Sequence, residues 1–148
     1  MRQVPQNAID LIKHHEKCKL TAYLDPGGIP TIGWGHTGGV KLNTTISQIR
    51  ADALLEADLA DSASCIESSV RNPLSDNQFG ALVSLVFNIG TENFKQSTLL
   101  KDLNAGQYDL AADQFSRWIY VKGQKSMELI KRRDEERTLF LTTESPNV

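Results

Sequence analysis

Residues 16–37 read EKCKLTAYLDPGGIPTIGWGHT. Within them an acid, Glu16, precedes a second acid, Asp25, and a hydroxyl, Thr31, in the spacing E-x8-D-x5-T, threaded through glycines and two prolines. Thr21 to Leu24 is a short β-prone run, Asp25-Pro26-Gly27-Gly28 is turn chemistry, and Ile29 to Trp34 is a second β-prone run, so the stretch predicts a hairpin. Pro30 removes one backbone donor, which puts the second strand at an edge or at a departure from the ladder. Gly33, Gly35, Gly38 and Gly39 mark close backbone approaches, and a third short strand is expected through Val40 and Lys41.

Upstream, Asn7 and Asp10 form a weak capping pair, and Ile9, Ile12 and Glu16 fall at i, i+3 and i+7. This predicts a helix over 7–17 with Glu16 on its apolar stripe. A carboxyl group on that face is partly desolvated, which favours its neutral form. A lone glutamate beside Lys17 and Lys19 would otherwise read as a solvated helix end; its place on the stripe argues for function.

Downstream, Thr45-Ile46-Ser47-Gln48 fits a capping box, and no Gly or Pro follows until after Val70. Leu55, Leu59, Ile66 and Val70 recur at helical spacing, so one long helix over about 46–70 is expected to join two lobes. A helix-turn-helix reading of this region lacks its glycine turn. Asn72-Pro73 breaks the pattern, and Ser75 with Gln78 makes a second capping box. The helix it starts, QFGALVSLVFNI, is apolar on nearly every side and should be a buried central helix ended by Gly90. Further helices are expected at 97–104, 107–118 and 126–141. The charge run KRRDEER in the last reads as a solvated face for all but one arginine.

The 148 residues suit one domain, and a chain that is 40% hydrophobic and 23% charged should fold without being membrane-spanning or disordered. A formal net charge of −2 offers no general attraction to a polyanion, so nucleic acid is disfavoured as a partner. The N-terminus, MRQVPQNAIDLIKHHEK, contains no signal-peptide core, and no run approaches the roughly 20 apolar residues of a membrane span. Cys18 and Cys65 allow at most one bridge and fit neither a disulfide framework nor a C-x-x-C metal knuckle; they read as reduced thiols, with a single bridge as the alternative.

Hydrolysis of a glycosidic bond needs one carboxylic acid that remains protonated and a second, ionised carboxylate on the other side of the sugar ring. Glu16 on its apolar face suits the first task. Asp25 suits the second, because it opens a turn whose N–H groups favour the charge. Thr31, placed across the hairpin, can donate and accept hydrogen bonds and so help hold a water. Metal binding is the main rival, with His14, His15, Glu16 and His36 as conceivable ligands. However, H-E-x-x-H fails because Lys19 stands where the second histidine should be. Cys18 as a nucleophile has no identifiable base. No cofactor or metal is expected.

The run E-x8-D-x5-T with YLDPGGIPTIGWGHT closely resembles the phage-type lysozymes, or endolysins, of glycoside hydrolase family 24. ALVSLVFNIG, FKQSTLLKDLNAG, AADQFSRW and RRDEERTLFL resemble them too, in the family's order and over nearly the whole chain from Ile9 to Leu141. The resemblance implies a lysozyme-like α+β fold as a single domain over 1–148. A small lobe with a three-stranded antiparallel sheet (about 17–45) would join through the long helix to a mostly helical lobe (about 71–141 plus the N-terminal helix).

It also implies a muramidase that cleaves the β-1,4 link between N-acetylmuramic acid and N-acetylglucosamine in peptidoglycan, with inversion. Glu16 would be the general acid, and Asp25 and Thr31 would position and activate the water. Phe87, Ser97 and Gln114 would line the saccharide cleft. Arg132, or Arg133 if the alignment slips by one, would approach Glu16, and His36 would pair with Asp58. Some family members carry cysteine at the position of Asp25 and an apolar N-terminal anchor. The aspartate here, and the lack of such an anchor in this sequence, imply a constitutively competent monomer that waits in the host cytoplasm until a holin opens the membrane. The alternative function is a non-catalytic wall-binding protein on the same scaffold. A third, transglycosylation to an anhydro product, would need only the acid.

Overall fold

The computed structural model describes residues 2–143. Met1 and residues 144–148, the ends of the expected 1–148 domain, lie outside the described residues. Helix α1 (Gln6–Glu16) follows Pro5 and buries Ala8 and Ile12, one turn apart. Glu16 continues the same row one turn further on, so the face that enters the core ends in a carboxylate. Lys17 stops the helix with φ +54°, and its N–H still reaches the carbonyl of Lys13.

The hairpin forms as expected from β1 (Lys19–Leu24) and β2 (Pro30–Gly33), antiparallel, with Tyr23 opposite Thr31 and Leu24 opposite Pro30. The expected third strand at Val40 and Lys41 does not form. Gly39 and Asn43 take positive φ in a turn-rich segment, and the other edge of β1 is met later in the chain. There Ala22 N–H donates to Thr44 O (2.9 Å) and Ile46 N–H to Leu20 O (2.8 Å), around a single bridge between Thr21 and Thr45. Because Thr45 is extended in that bridge, the first capping box is displaced. Ser47 caps helix α2 (Gln48–Ser69) by accepting from Arg50 N–H. The 22 residues of α2 span about 33 Å and bury Leu55, Leu59, Ala63 and Ile66.

Helix α3 (Asp76–Ile89) begins with the expected Ser75–Gln78 capping box and buries every residue from Phe79 to Val86. It packs against α1, α2 and the last helix. A β-carbon on Gly80 would lie 2.9 Å from that of Ala8, so α1 and α3 approach closely only because both positions lack bulk. Gly90 ends α3 with φ +91°.

A short helix not anticipated from sequence, α4 (Thr91–Lys95), precedes α5 (Thr98–Asn104), which Gly106 closes with φ +74°. The helix expected over 107–118 is α6 (Tyr108–Gln114), which tightens to a 3-10 turn at Phe115–Arg117. A second small hairpin, β3 (Tyr120–Val121) with β4 (Gln124–Lys125), was also not anticipated. It turns at Lys122 and Gly123, both with positive φ. Helix α7 (Met127–Leu141), capped by Ser126, lies along α3.

The charge run in α7 is not the solvated face expected for it. Arg133 and Glu136 are as fully buried as Phe140, and Arg132 is buried too. Both cysteines are free thiols. No helix among the described residues is long and apolar enough to cross a membrane.

Candidate active site

Glu16 reaches the site from the end of α1 and keeps 16% of its side-chain surface exposed. Its Oε2 accepts a hydrogen bond from Arg132 Nη1 at 2.6 Å, joining the first helix to the last. On the other side stands the backbone of Gly35, at φ +86°. A β-carbon there would lie 2.8 Å from the Glu16 carboxyl carbon and closer still to Oε1. Glycine is therefore required both by the backbone angle and by the space.

Asp25 begins the hairpin turn. Its Oδ1 accepts from Ile29 N–H (2.9 Å), its N–H donates to Ile29 O (3.0 Å), and its carbonyl accepts from Gly28 N–H (2.8 Å). These bonds hold the carboxylate while Oδ2 accepts no hydrogen bond among the described residues. Thr31, only 3% exposed, donates its hydroxyl to Ile29 O at 2.8 Å and retains lone pairs as an acceptor. Its partner across the ladder is Tyr23 and not Asp25, which was expected opposite it. Since alternate residues share a face, Tyr23, Asp25 and Thr31 all lie on one side of the hairpin.

Tyr23 lies opposite Thr31 in the hairpin and senses both acids electrostatically. Burial pushes its phenol above the usual value, and the negative charges of Glu16 and Asp25 push it the same way. The charges of the two acids, from different elements, thus both bear on one half-buried hydroxyl. Sequence reading passed over Tyr23 because a tyrosine in a β-prone run is ordinary.

Three further hydrogen-bonded contacts fix the frame. His36 Nδ1 lies 2.8 Å from Asp58 Oδ2 of α2, and its Nε2 lies 2.9 Å from Gly38 O. Trp34 Nε1 donates to Asp52 Oδ1 at 2.7 Å. That bond and another from Gln48, in that order, hold the Asp52 carboxyl below its usual range. The end of the hairpin is therefore pinned to α2.

Ser97 and Gln114 line a concavity between α5 and α6 together with Thr98, Arg117 and Trp118. The Ser97 hydroxyl is already committed as a helix cap. It accepts from Leu100 N–H at 3.1 Å and donates to Phe94 O at 2.7 Å. Gln114 Oε1 is buried there without a partner. Phe87 is not part of that concavity; it is half-buried against the core at the end of α3. A larger groove between α1 and α2 contains none of Glu16, Asp25 and Thr31.

The residue set most plainly missed by sequence reading lies behind Arg132. Glu136 Oε2 accepts from Ser84 Oγ at 2.5 Å and from Arg132 Nε at 3.2 Å, while its Oε1 faces Arg133 Nε at 2.8 Å. Arg133 Nη2 donates to Asn88 Oδ1 (2.8 Å) and Nη1 to Trp118 O (3.3 Å). Burial lowers the Arg133 guanidinium to about 10, partly offset by Glu136, so it stays charged at neutral pH.

The phage lysozyme family model matches residues 13–136. The endolysin of Salmonella phage P22 is 44% identical over 147 residues, covering 96% of this chain and all of that one. Among solved structures, the muramidase domain of SpmX from Asticaccaulis excentricus superposes with a TM-score of 0.86 at 37% identity, covering 97% of this chain and all of that one. A crystal structure of a P22 lysozyme mutant superposes with a TM-score of 0.79 at 41% identity, covering 96% of this chain and all of that one. With a family model spanning most of its length, full-length relatives and the same lysozyme-like fold, the chain belongs to the phage lysozyme family of peptidoglycan-lysing muramidases.

Proposed function

We propose that this muramidase works by inversion with Glu16 as the general acid. The Glu16 proton goes to the glycosidic oxygen as the bond from the muramic C1 to that oxygen breaks. A water on the opposite face of the ring, accepted by Asp25 Oδ2 and by the Thr31 hydroxyl, adds to C1 and gives its proton to Asp25. The observation that carries this reading is the placement of Glu16 at the end of α1 and of Asp25 in the hairpin turn, two separate elements. It supplies two carboxyl groups with different surroundings, one against a guanidinium and one in a backbone turn.

Ser97 and Gln114 are proposed to meet the glycan strand through their shared concavity, where the unpartnered Gln114 Oε1 awaits a donor. Phe87 is proposed to offer an apolar edge to a sugar ring. His36 and Arg132 support the site. The protein is proposed to act as a monomer without a cofactor, held in the host cytoplasm until a holin gives it access to the wall.

The test is the configuration of the newly released end, followed by NMR on a soluble peptidoglycan fragment. Inversion predicts that the α-anomer appears first and mutarotates. First appearance of the β-anomer would overturn the role given to Asp25, and an anhydro end would show that water is not the acceptor.

A further inference from the structure

Glu136 is a fully enclosed carboxylate that neither gives nor takes a proton in the proposed reaction. Burying such a charge costs several kcal/mol before its partners compensate, and a well-packed apolar side chain at the same place is often at least as stabilising. Its surroundings suggest a purpose other than stability. The Arg132 guanidinium has three nitrogens with three separate tasks. Nε goes to Glu136 Oε2 (3.2 Å), Nη2 to Ser84 O (3.2 Å), and Nη1 to Glu16 Oε2 (2.6 Å). The first two contacts fix the plane of the fork, and the third is the end left to point at the acid. Glu136 is itself held by Ser84 of α3 and by Arg133, which is tied to Asn88 and to the Trp118 carbonyl.

The groups that bear on Glu16 are then few. Arg132 of α7 touches it, Arg133 stands behind, Tyr23 of β1 is near enough to feel its charge, and Gly35 presents backbone alone. His15, its neighbour on α1, lies instead 2.6 Å from Glu135 of α7. Glu16, Arg132, Arg133 and Glu136 form one contiguous cluster. When Glu16 surrenders its proton, Arg132 Nη1 already stands where the negative charge appears, with no reorganisation needed. Glu136 behind it offsets part of the guanidinium charge that Glu16 meets.

We infer that Glu136 is a positioning residue of the hydrolytic reaction: it grips Arg132 through Nε and balances its charge, so that Arg132 receives the carboxylate formed in the transition state without emptying the acid beforehand. The inference rests on the proposed role of Glu16. It acts through Arg132 alone, since Glu136 has no surface with which to touch a glycan.

The experiment compares pH profiles of kcat/KM on purified peptidoglycan for the unmodified protein, Glu136→Gln, Arg132→Met and the double variant. Glu136→Gln keeps an oxygen acceptor and removes the charge. The limb on which activity falls with rising pH should move down by about one pH unit, with kcat reduced and KM unchanged. In the Arg132→Met background the same substitution should move nothing further. An unmoved limb in folded Glu136→Gln, or an equal movement in both backgrounds, overturns the inference.

Should Glu136→Gln fail to fold, Glu136→Asp decides. It keeps the charge but withdraws it from Arg132 by one methylene, so kcat should fall about tenfold or more through the displaced fork, whereas a folded Glu136→Asp protein with unchanged kcat overturns the inference. Full activity in Glu16→Gln would remove the reading beneath. An inactive Glu16→Gln beside an unaltered Glu136→Gln profile would remove this inference alone.

Discussion

Arg132 Nη1 lies 2.6 Å from Glu16 Oε2, so an acid that sequence places at the end of the first helix is closed over by a cation from the last. Both side chains are largely buried, 4% exposed for the arginine and 16% for the glutamate. Replacing Arg132 with methionine keeps the volume but strips Glu16 and Glu136 of a shared partner. Removing one member of a buried pair costs about 3–5 kcal/mol, and the lower end is expected because Glu136 retains Arg133. Urea unfolding at pH 7 measures it, and a loss under about 1 kcal/mol would show that the pair is solvated and weak.

Gly35 and Gly39 form a matched pair of controls. Both have positive φ, +86° and +68°, so alanine at either place meets similar backbone strain of about 1–2 kcal/mol. Only at Gly35 does the new β-carbon strike a side chain, and that side chain is Glu16; at Gly39 nothing lies within 4 Å. Gly35→Ala should therefore lower kcat/KM about a hundredfold, while Gly39→Ala lowers stability alone. Equal activities of the two variants would contradict the close approach to Glu16.

His15 should make the fold sensitive to mild acid. Burial lowers its affinity for a proton, with Arg132 and His14 adding to that effect and Glu135 opposing it. Unfolded, the ring takes up a proton near pH 6.5; folded, it stays neutral to lower pH. The unfolded state then binds more protons, so stability falls as the pH drops from about 6.5 and is independent of this group above about 7.5. Urea midpoints at pH 7.5, 6.5 and 5.5 should fall more steeply for the unmodified protein than for His15→Gln. Parallel lines would contradict the assignment.

The net charge of −2 predicts little salt dependence of lysis. The stretch from Lys122 to Arg133 looks like a basic face in sequence, but Arg132 and Arg133 are buried and internally paired, which leaves only lysines at the surface there. Activity on anionic walls should change less than about threefold between 50 and 200 mM salt. A steep fall would mean that those lysines engage the wall directly.

The hairpin, the long α2 and the buried α3 were legible because each rests on local rules: turn residues, an uninterrupted helical period, a capping box. The place of Glu16 was legible for the same reason, since the expected Ile9–Ile12–Glu16 stripe is a property of one helix, although the structure buries Ala8 and Ile12 on that side. What sequence hid was non-local. The pairing of residues 44–46 with β1 displaced both the expected third strand and the helix cap. Arg133 and Glu136 looked solvated because KRRDEER has the composition of a surface. Their burial depends on Ser84 and Asn88, about 50 residues earlier in the chain, which nothing in α7 announces. The 2.6 Å contact between Arg132 and Glu16, by contrast, was anticipated from family resemblance and not from pattern.

The central claim, that Glu16 delivers the proton which breaks the glycan strand, is tested most directly by reducing-end release from purified peptidoglycan, comparing the unmodified protein with Glu16→Gln. The variant keeps its shape and an oxygen acceptor for Arg132, so its circular dichroism should match the parent's and any fall in its urea midpoint should be smaller than that of Arg132→Met. The unmodified protein should liberate muramic reducing ends and the variant should fall at least about a thousandfold below it. A folded Glu16→Gln protein that releases reducing ends at the parent's rate would contradict the account.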